Sequence, residues 1–201
     1  MTKCSAGLMA LAAMLLLLSS CVSSSLIFSE ADIGANPNLV FNPSFNPYST
    51  RAEEVLKNWS VHLEPAVADS SPVVMDPHDA HEGNTSLRID ASNKSVMILS
   101  DPFPVRRYGG YYLRSFVKTD SPAPPNIYLR LIVFREDGKI LNRFRTKNQA
   151  AKDWVLATLS AGFLRPGAKF GRLAIMIPPF KEGSVWVDDA GAYEVHGFKI
   201  D

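Results

Sequence analysis

Cysteine is almost missing from this chain of 201 residues, with Cys4 and Cys21 the two present. Both lie near the N-terminus, so the rest of the chain has no internal disulfide to staple it. A small disulfide-dense scaffold is excluded, and stability has to come from burial. A dominant charge sign is missing too. Lys plus Arg number 21 and Asp plus Glu number 20, a formal net charge of +1. That balance removes any broad electrostatic drive toward nucleic acid or anionic lipid. No segment keeps the 3.6-residue apolar period over the length of a major helix. Catalytic signatures are lacking as well: no Gly-x-Ser-x-Gly, P-loop or Gly-x-Gly-x-x-Gly occurs in its proper context. His78-Asp79-Ala80-His81-Glu82 invites a metal reading. Its spacing is not His-Glu-x-x-His, and Pro77 and Gly83 bound it as a surface loop rather than a helix. Asp188 and Asp189 are adjacent, so on a regular strand they point to opposite faces and make a poor paired acid and base.

What is present begins with the leader. Met1 to Ser25 reads MTKCSAGLMALAAMLLLLSSCVSSS. Lys3 precedes an apolar run from Leu8 to Leu18, the layout of a secretory signal and too short for a stop-transfer helix. Leu18-Ser19-Ser20-Cys21 resembles the bacterial lipobox. The resemblance implies a diacylglycerol thioether and an N-acyl chain on Cys21, hence stable anchoring through several chains. The competing reading is an ordinary signal cut near Ser20 or Ser23. Acylation also caps what is otherwise a lone exported thiol. Val22 after the cysteine resembles the sorting pattern for an outer membrane, where the host has one. The expected organisation is a lipoprotein signal peptide over 1–20, a flexible tether over 21–37 and one folded domain over 38–201. The place expected for it is the bacterial cell envelope, outside the cytoplasm.

The domain reads as all-β. Short β-branched or aromatic runs are split by Pro, Gly, Asn and Asp clusters, the pattern of a sandwich of two antiparallel sheets. Expected strands are Trp59–Leu63, Val73–Met75, Ser86–Ile89, Ser95–Leu99, Tyr111–Lys118, Ile127–Arg135, Ile140–Arg145, Trp154–Leu159, Arg172–Ile177 and Ser184–Val187, the last continuing toward Tyr193–Val195. Glu136-Asp137-Gly138-Lys139 is a hairpin turn signal. Arg51 to Lys57 has one apolar face and suits a short helix. Trp59, Trp154 and Trp186 are expected in the core, where two packed sheets need large apolar side chains. Gly83 is expected to take a backbone conformation that other residues resist.

Several motifs then fall in order. Asn38-Leu39-Val40-Phe41-Asn42-Pro43-Ser44-Phe45 followed by Trp59 comes first. After it come His81 to Ile89, Tyr111 to Thr119, Asp153-Trp154, and Gly183-Ser184-Val185-Trp186-Val187-Asp188-Asp189. Together they resemble carbohydrate-binding modules with the galactose-binding-like jelly roll, particularly families four, nine and twenty-two. The resemblance spans about Asn38 to Val195 and implies that β-sandwich fold. It also implies a structural calcium ion held by Ser44, Asn46, the Gly83 carbonyl and Asp188, with Asp189 nearby. Many members carry Glu where this chain has Asn46, and the lost carboxylate weakens a hard-cation site.

Alternation supplies a candidate ligand face. Tyr112, Arg114, Phe116 and Lys118 share one side of their strand, and Tyr128, Arg130, Ile132 and Phe134 one side of theirs. If the two strands lie in one sheet, Tyr112, Arg114, Phe116, Tyr128, Arg130 and Phe134 form an aromatic and cationic surface, which Arg143 and Arg145 extend. Aromatic faces stack on sugar rings, and arginine forks hydrogen bonds to hydroxyls or uronate carboxylates. In the competing arrangement another element covers these aromatics, either the N-terminal segment or the Pro178-Pro179-Phe180 loop. The function expected is a non-catalytic, membrane-anchored glycan-binding module. Its partner is a poly- or oligosaccharide, with no nucleic acid and no cofactor beyond that calcium. The alternative is a protein-interaction or envelope-assembly lipoprotein that uses the same face.

Overall fold

A computed structural model describes residues 27–46, 56–65 and 71–197. Cys21, the signal segment and residues 51–55 of the expected helix lie outside the described residues. The strands are β1 (Trp59–Glu64), β2 (Val73–Asp76), β3 (Ser86–Ser92), β4 (Ser95–Ser100), β5 (Phe103–Pro104), β6 (Gly109–Thr119), β7 (Asn126–Phe134), β8 (Ile140–Gln149), β9 (Val155–Ala161), β10 (Phe170–Ile177) and β11 (Phe180–Gly197). The first sheet runs β1-β4-β10-β7-β8, with β5 also on β10, and the second runs β2-β3-β11-β6-β9. Every pairing is antiparallel. The all-β jelly-roll sandwich expected from the sequence is the architecture observed. Among the described residues no helix is long and apolar enough to cross a membrane.

Period-two alternation builds the core. Ile127, Leu129, Leu131 and Val133 of β7 face inward and are fully buried. They meet Leu113 and Val117 of β6 and Val185 and Val187 of β11 across the sandwich in one hydrophobic cluster. Each such aliphatic side chain contributes about 1.5–3 kcal/mol when fully buried. The turn between β7 and β8 forms where Glu136 to Lys139 signalled it. Gly138 sits at φ 77°, a left-handed conformation that favours glycine, and its N–H donates to the Arg135 carbonyl at 3.1 Å.

Consecutive strands β6 and β7 lie in different sheets, and this alters the candidate face. Hydrophobic alternation sets which way each side chain points but not which strand lies alongside. The tryptophans also divide. Trp59 belongs to the core cluster, its ring 4.8 Å from Phe45 and its Nε1–H donating to the Asn42 carbonyl at 2.9 Å. Trp186 and Trp154 lie instead on the outer side of the second sheet, around the Lys118 ammonium. An indole keeps a polar N–H that needs a partner, and Trp186 finds one in Asp76 Oδ2 at 2.9 Å.

The segment Ile27 to Pro37, expected within a tether, lies against the second sheet. Phe28 N–H donates to Ser160 Oγ at 2.9 Å, and Ser160 Oγ donates back to the Phe28 carbonyl at 3.1 Å. Farther on, Val40 and Phe45 enter the core.

Candidate functional site

The outer face of the second sheet is covered. Tyr112, Arg114 and Phe116 all point to it from β6, as alternation requires. Above Arg114 a 3-10 turn, Glu30–Asp32, places Glu30 for an ion pair at 2.6 Å, and Asp189 adds a second at 2.8 Å. Tyr112 is 2% exposed. The loop between β2 and β3 closes over the rest. His81 stacks on Phe116 with ring centroids 3.5 Å apart, and Asp79 pairs with Lys118. Three of the six residues expected to bind a ligand therefore have their polar and aromatic surfaces engaged within the protein. The N-terminal segment is the cover. Pro179 and Phe180 instead line an open hollow with Ala91 to Asn93 at one end of the sheet.

A bulge explains the acidic pair. The register between β11 and β6 shifts between Asp188 and Gly191, and Asp189 has φ 43°. Strict alternation is lost, so both carboxylates lie on the covered side. Asp188 Oδ2 accepts the N–H groups of His81 and Glu82 at 2.7 and 2.9 Å, and Oδ1 accepts the N–H of Asp189 at 2.7 Å. Burial raises both carboxyl pKa values above their ordinary range. Against that rise, backbone N–H donors hold down Asp188 and the Arg114 guanidinium holds down Asp189.

The same arrangement tests the calcium expectation. Ser44 and Asn46 meet Thr85, Asn46 lies against Gly83, and Asp188 binds the N–H groups of His81 and Glu82 just before that glycine. Gly83, at φ 74°, lets the Asn46 amide approach so closely that a Cβ there meets Asn46 Oδ1 at 3.3 Å. Thr85 Oγ1 lies 3.1 Å from that oxygen and within hydrogen-bond range of the Ser44 and Phe45 carbonyls. Calcium asks for roughly six to eight oxygens. Asp188 is the only carboxylate among these four residues, and three backbone N–H groups already engage it. This donor set does not fit a calcium ion. Hydrogen bonds fasten the loop there instead.

The first sheet differs. Tyr128, Arg130, Ile132 and Phe134 of β7 point outward and are half-buried, with the exposed Arg143, Arg145 and Lys147 of β8 alongside. Register fixes their neighbours. Arg130 sits between Ala174 of β10 and Arg145 of β8, and Tyr128 between Met176 and Lys147. Ile132 sits between Arg172 and Arg143. Small Ala174 leaves room for the longer side chains beside it. The Arg145 guanidinium lies 5.2 Å from the Tyr128 ring centroid. Met97 and His62 continue the Tyr128 row onto β4 and β1. Phe134 stands at one end, opposite Phe170 and Ile140, which are 41% and 42% exposed. Of the expected ligand residues, this face unites Tyr128, Arg130 and Phe134 and leaves out Tyr112, Arg114 and Phe116. Lys147 and Arg172 join it without having been singled out in the sequence. Outward alternation along their strands is the signal that finds them, once sheet order is known.

No protein-family model and no curated protein matches the sequence. Solved structures do. A family 61 carbohydrate-binding module in complex with β-1,4-galactotriose superposes with TM-score 0.56 at 13% identity, over 79% of this chain and 99% of that one. The xylan-binding family 22 module of a Paenibacillus barcinonensis protein gives TM-score 0.54 at 13% identity, over 82% and 98%. The enzymatically active domain of bacteriophage CBA120 tailspike protein 4 gives 0.60 at 12% identity, and there this chain spans only 21% of its length. At such identities the likeness is one of fold, and it covers the binding modules end to end. The chain thus has the jelly-roll β-sandwich of carbohydrate-binding modules.

Proposed function

We propose that this chain is a non-catalytic carbohydrate-binding module and that the glycan lies across the outer face of the first sheet, over Tyr128 and Arg130. One contrast carries the reading: the second sheet's outer face is covered by the chain's own N-terminal segment and β2–β3 loop, whereas on the first sheet's outer face Arg143, Arg145 and Lys147 are exposed beside the half-buried Tyr128 and Arg130. An open sheet face bearing an aromatic ring, two methionines and forked cations offers stacking to sugar rings and donors to hydroxyls. Full coverage of solved modules named for galactotriose and xylan supports a sugar ligand. The same reading places the module on the bacterial envelope through lipid on Cys21.

A glycan-array screen of the purified full chain tests the binding role. A hit weakened about tenfold by Tyr128→Ala, the loss of roughly one stacking contact, is the expected result. No hit from folded protein refutes the glycan reading and leaves protein docking on the same face. Fatty-acid labelling tests the anchor, and label that persists in Cys21→Ser overturns it.

A further inference from the structure

Cations are distributed unevenly over this molecule. On the second sheet they are paired: Arg88 with Asp76 and Asp90, Arg114 with Glu30 and Asp189, Lys118 with Asp79. On the first sheet's outer face Arg130, Arg143, Arg145, Lys147 and Arg172 form no ion pair among the described residues. They are also close together. Arg130 and Arg145 are register partners on adjacent strands, where like charges directly opposite each other are destabilising. Arg143, Arg145 and Lys147 recur at every second position of β8, so they span about 13 Å along the strand. Arg130 Nε is buried with no hydrogen-bond partner. Its charge is disfavoured by burial first and then by Arg145 and Arg143, with Glu64 the carboxylate that opposes this. Asp101 is the carboxylate that faces Arg172, which donates to the Ser100 carbonyl at 2.6 Å. In a chain of net charge +1, so concentrated a patch is a local device rather than a bulk property.

We infer that the glycan is acidic: a polysaccharide whose uronic-acid carboxylates are held by the Arg130, Arg143, Arg145 and Lys147 cluster beside the Tyr128 ring. This rests on the carbohydrate-binding reading above. Arginine's planar fork matches the two oxygens of a carboxylate, and a spread of cations suits a polymer with repeated charges better than one small anion. Tyr128, Met97 and Met176 provide the apolar strip that a sugar ring needs and that a purely ionic contact does not.

The test is binding of the full chain to polygalacturonate, neutral xylan, dextran sulfate, single-stranded DNA and anionic phospholipid vesicles, compared with an Arg143→Gln/Arg145→Gln double variant. Both substituted side chains are exposed, so the variant keeps the fold, which a thermal melt checks. Polygalacturonate binding that falls about tenfold in the variant, and again between ~50 and ~500 mM salt as screening shortens the Debye length, is the expected outcome. Preference for neutral xylan, unaffected by the variant, overturns the acidic ligand and leaves the glycan reading standing. Binding confined to dextran sulfate, DNA or vesicles overturns the uronate assignment in favour of that polyanion. If folded protein binds none of the five, both readings fail.

Discussion

Replacing Asp188 with alanine tests whether the covered face depends on one carboxylate. Asp188 is 0% exposed and accepts N–H groups from His81, Glu82 and Asp189. A hydrogen bond to a charged group contributes about 1.5–3 kcal/mol, so the three together start near 4.5 kcal/mol or above. Burial of the charge outweighs these bonds as far as ionisation is concerned, which is why the carboxyl pKa is raised rather than lowered. Alanine removes the charge but leaves three N–H groups without their acceptor. Net destabilisation of about 3 kcal/mol is expected, in line with truncating one member of a buried charged network. For a domain of this size that is a fall of roughly 6–12 °C in Tm. Differential scanning fluorimetry and urea denaturation followed by circular dichroism both read it. Asp188→Asn keeps one oxygen and turns an amide N–H toward a donor, so it falls between wild type and alanine. A loss under about 1 kcal/mol for Asp188→Ala means the loop is held by the His81–Phe116 stack and the Asp79–Lys118 pair, and the argument from the carboxylate is refuted.

Thermal melts in calcium and in chelator should superimpose, since Asp188, the one carboxylate of the four expected ligands, is already engaged by three N–H groups; a rise of several degrees with calcium contradicts the donor count. Arg114→Met leaves the buried Asp189 without its cation and frees Glu30, so limited proteolysis between Ile27 and Pro37 should speed up while glycan binding is unchanged. Equal cleavage rates count against the N-terminal segment being held by that pair. The pH dependence follows from opposite shifts. Asp188 and Asp189, raised by burial, take up protons in the folded state first, so they add stability as pH falls from neutral toward the ordinary carboxyl value of 3.8. At Asp76 burial pushes upward, but the Trp186 indole N–H, the His78 N–H and the Arg88 charge together win, and its pKa is lowered. Its contribution is present above 3.8 and is lost only as pH falls below that. A denaturation midpoint that drops steadily from neutral pH, with no flat or rising stretch first, contradicts this balance.

The strands are legible in the sequence because β-branched alternation and turn residues act locally. Ile127 to Val133 shows its buried and open sides without any knowledge of neighbours. Sheet membership is not local. Tyr112 and Tyr128 carry the same outward signal, yet they end on opposite sides of the sandwich because β11 and β9 flank one strand while β10 and β8 flank the other. A bulge is equally hidden. Nothing in Val187-Asp188-Asp189-Ala190 announces that Asp189 takes a positive φ and turns its carboxylate to the side of Asp188. Strand β5, two residues long, is too short to carry any period. Coverage of the second sheet depends on a long-range pair, Glu30 with Arg114, which no window of sequence contains.

The docking of Phe28 on Ser160 also sets an orientation. Ile27 and Phe28 meet the molecule on the second sheet's side. Packed sheets stand about 10 Å apart, so the arginine-bearing surface looks the opposite way. Under the anchoring proposed for Cys21, the lipid-bearing residue is six positions before Ile27, within roughly 20 Å of the covered side. The open side then faces outward, where a polymer passing over the cell meets the cations before it meets the membrane.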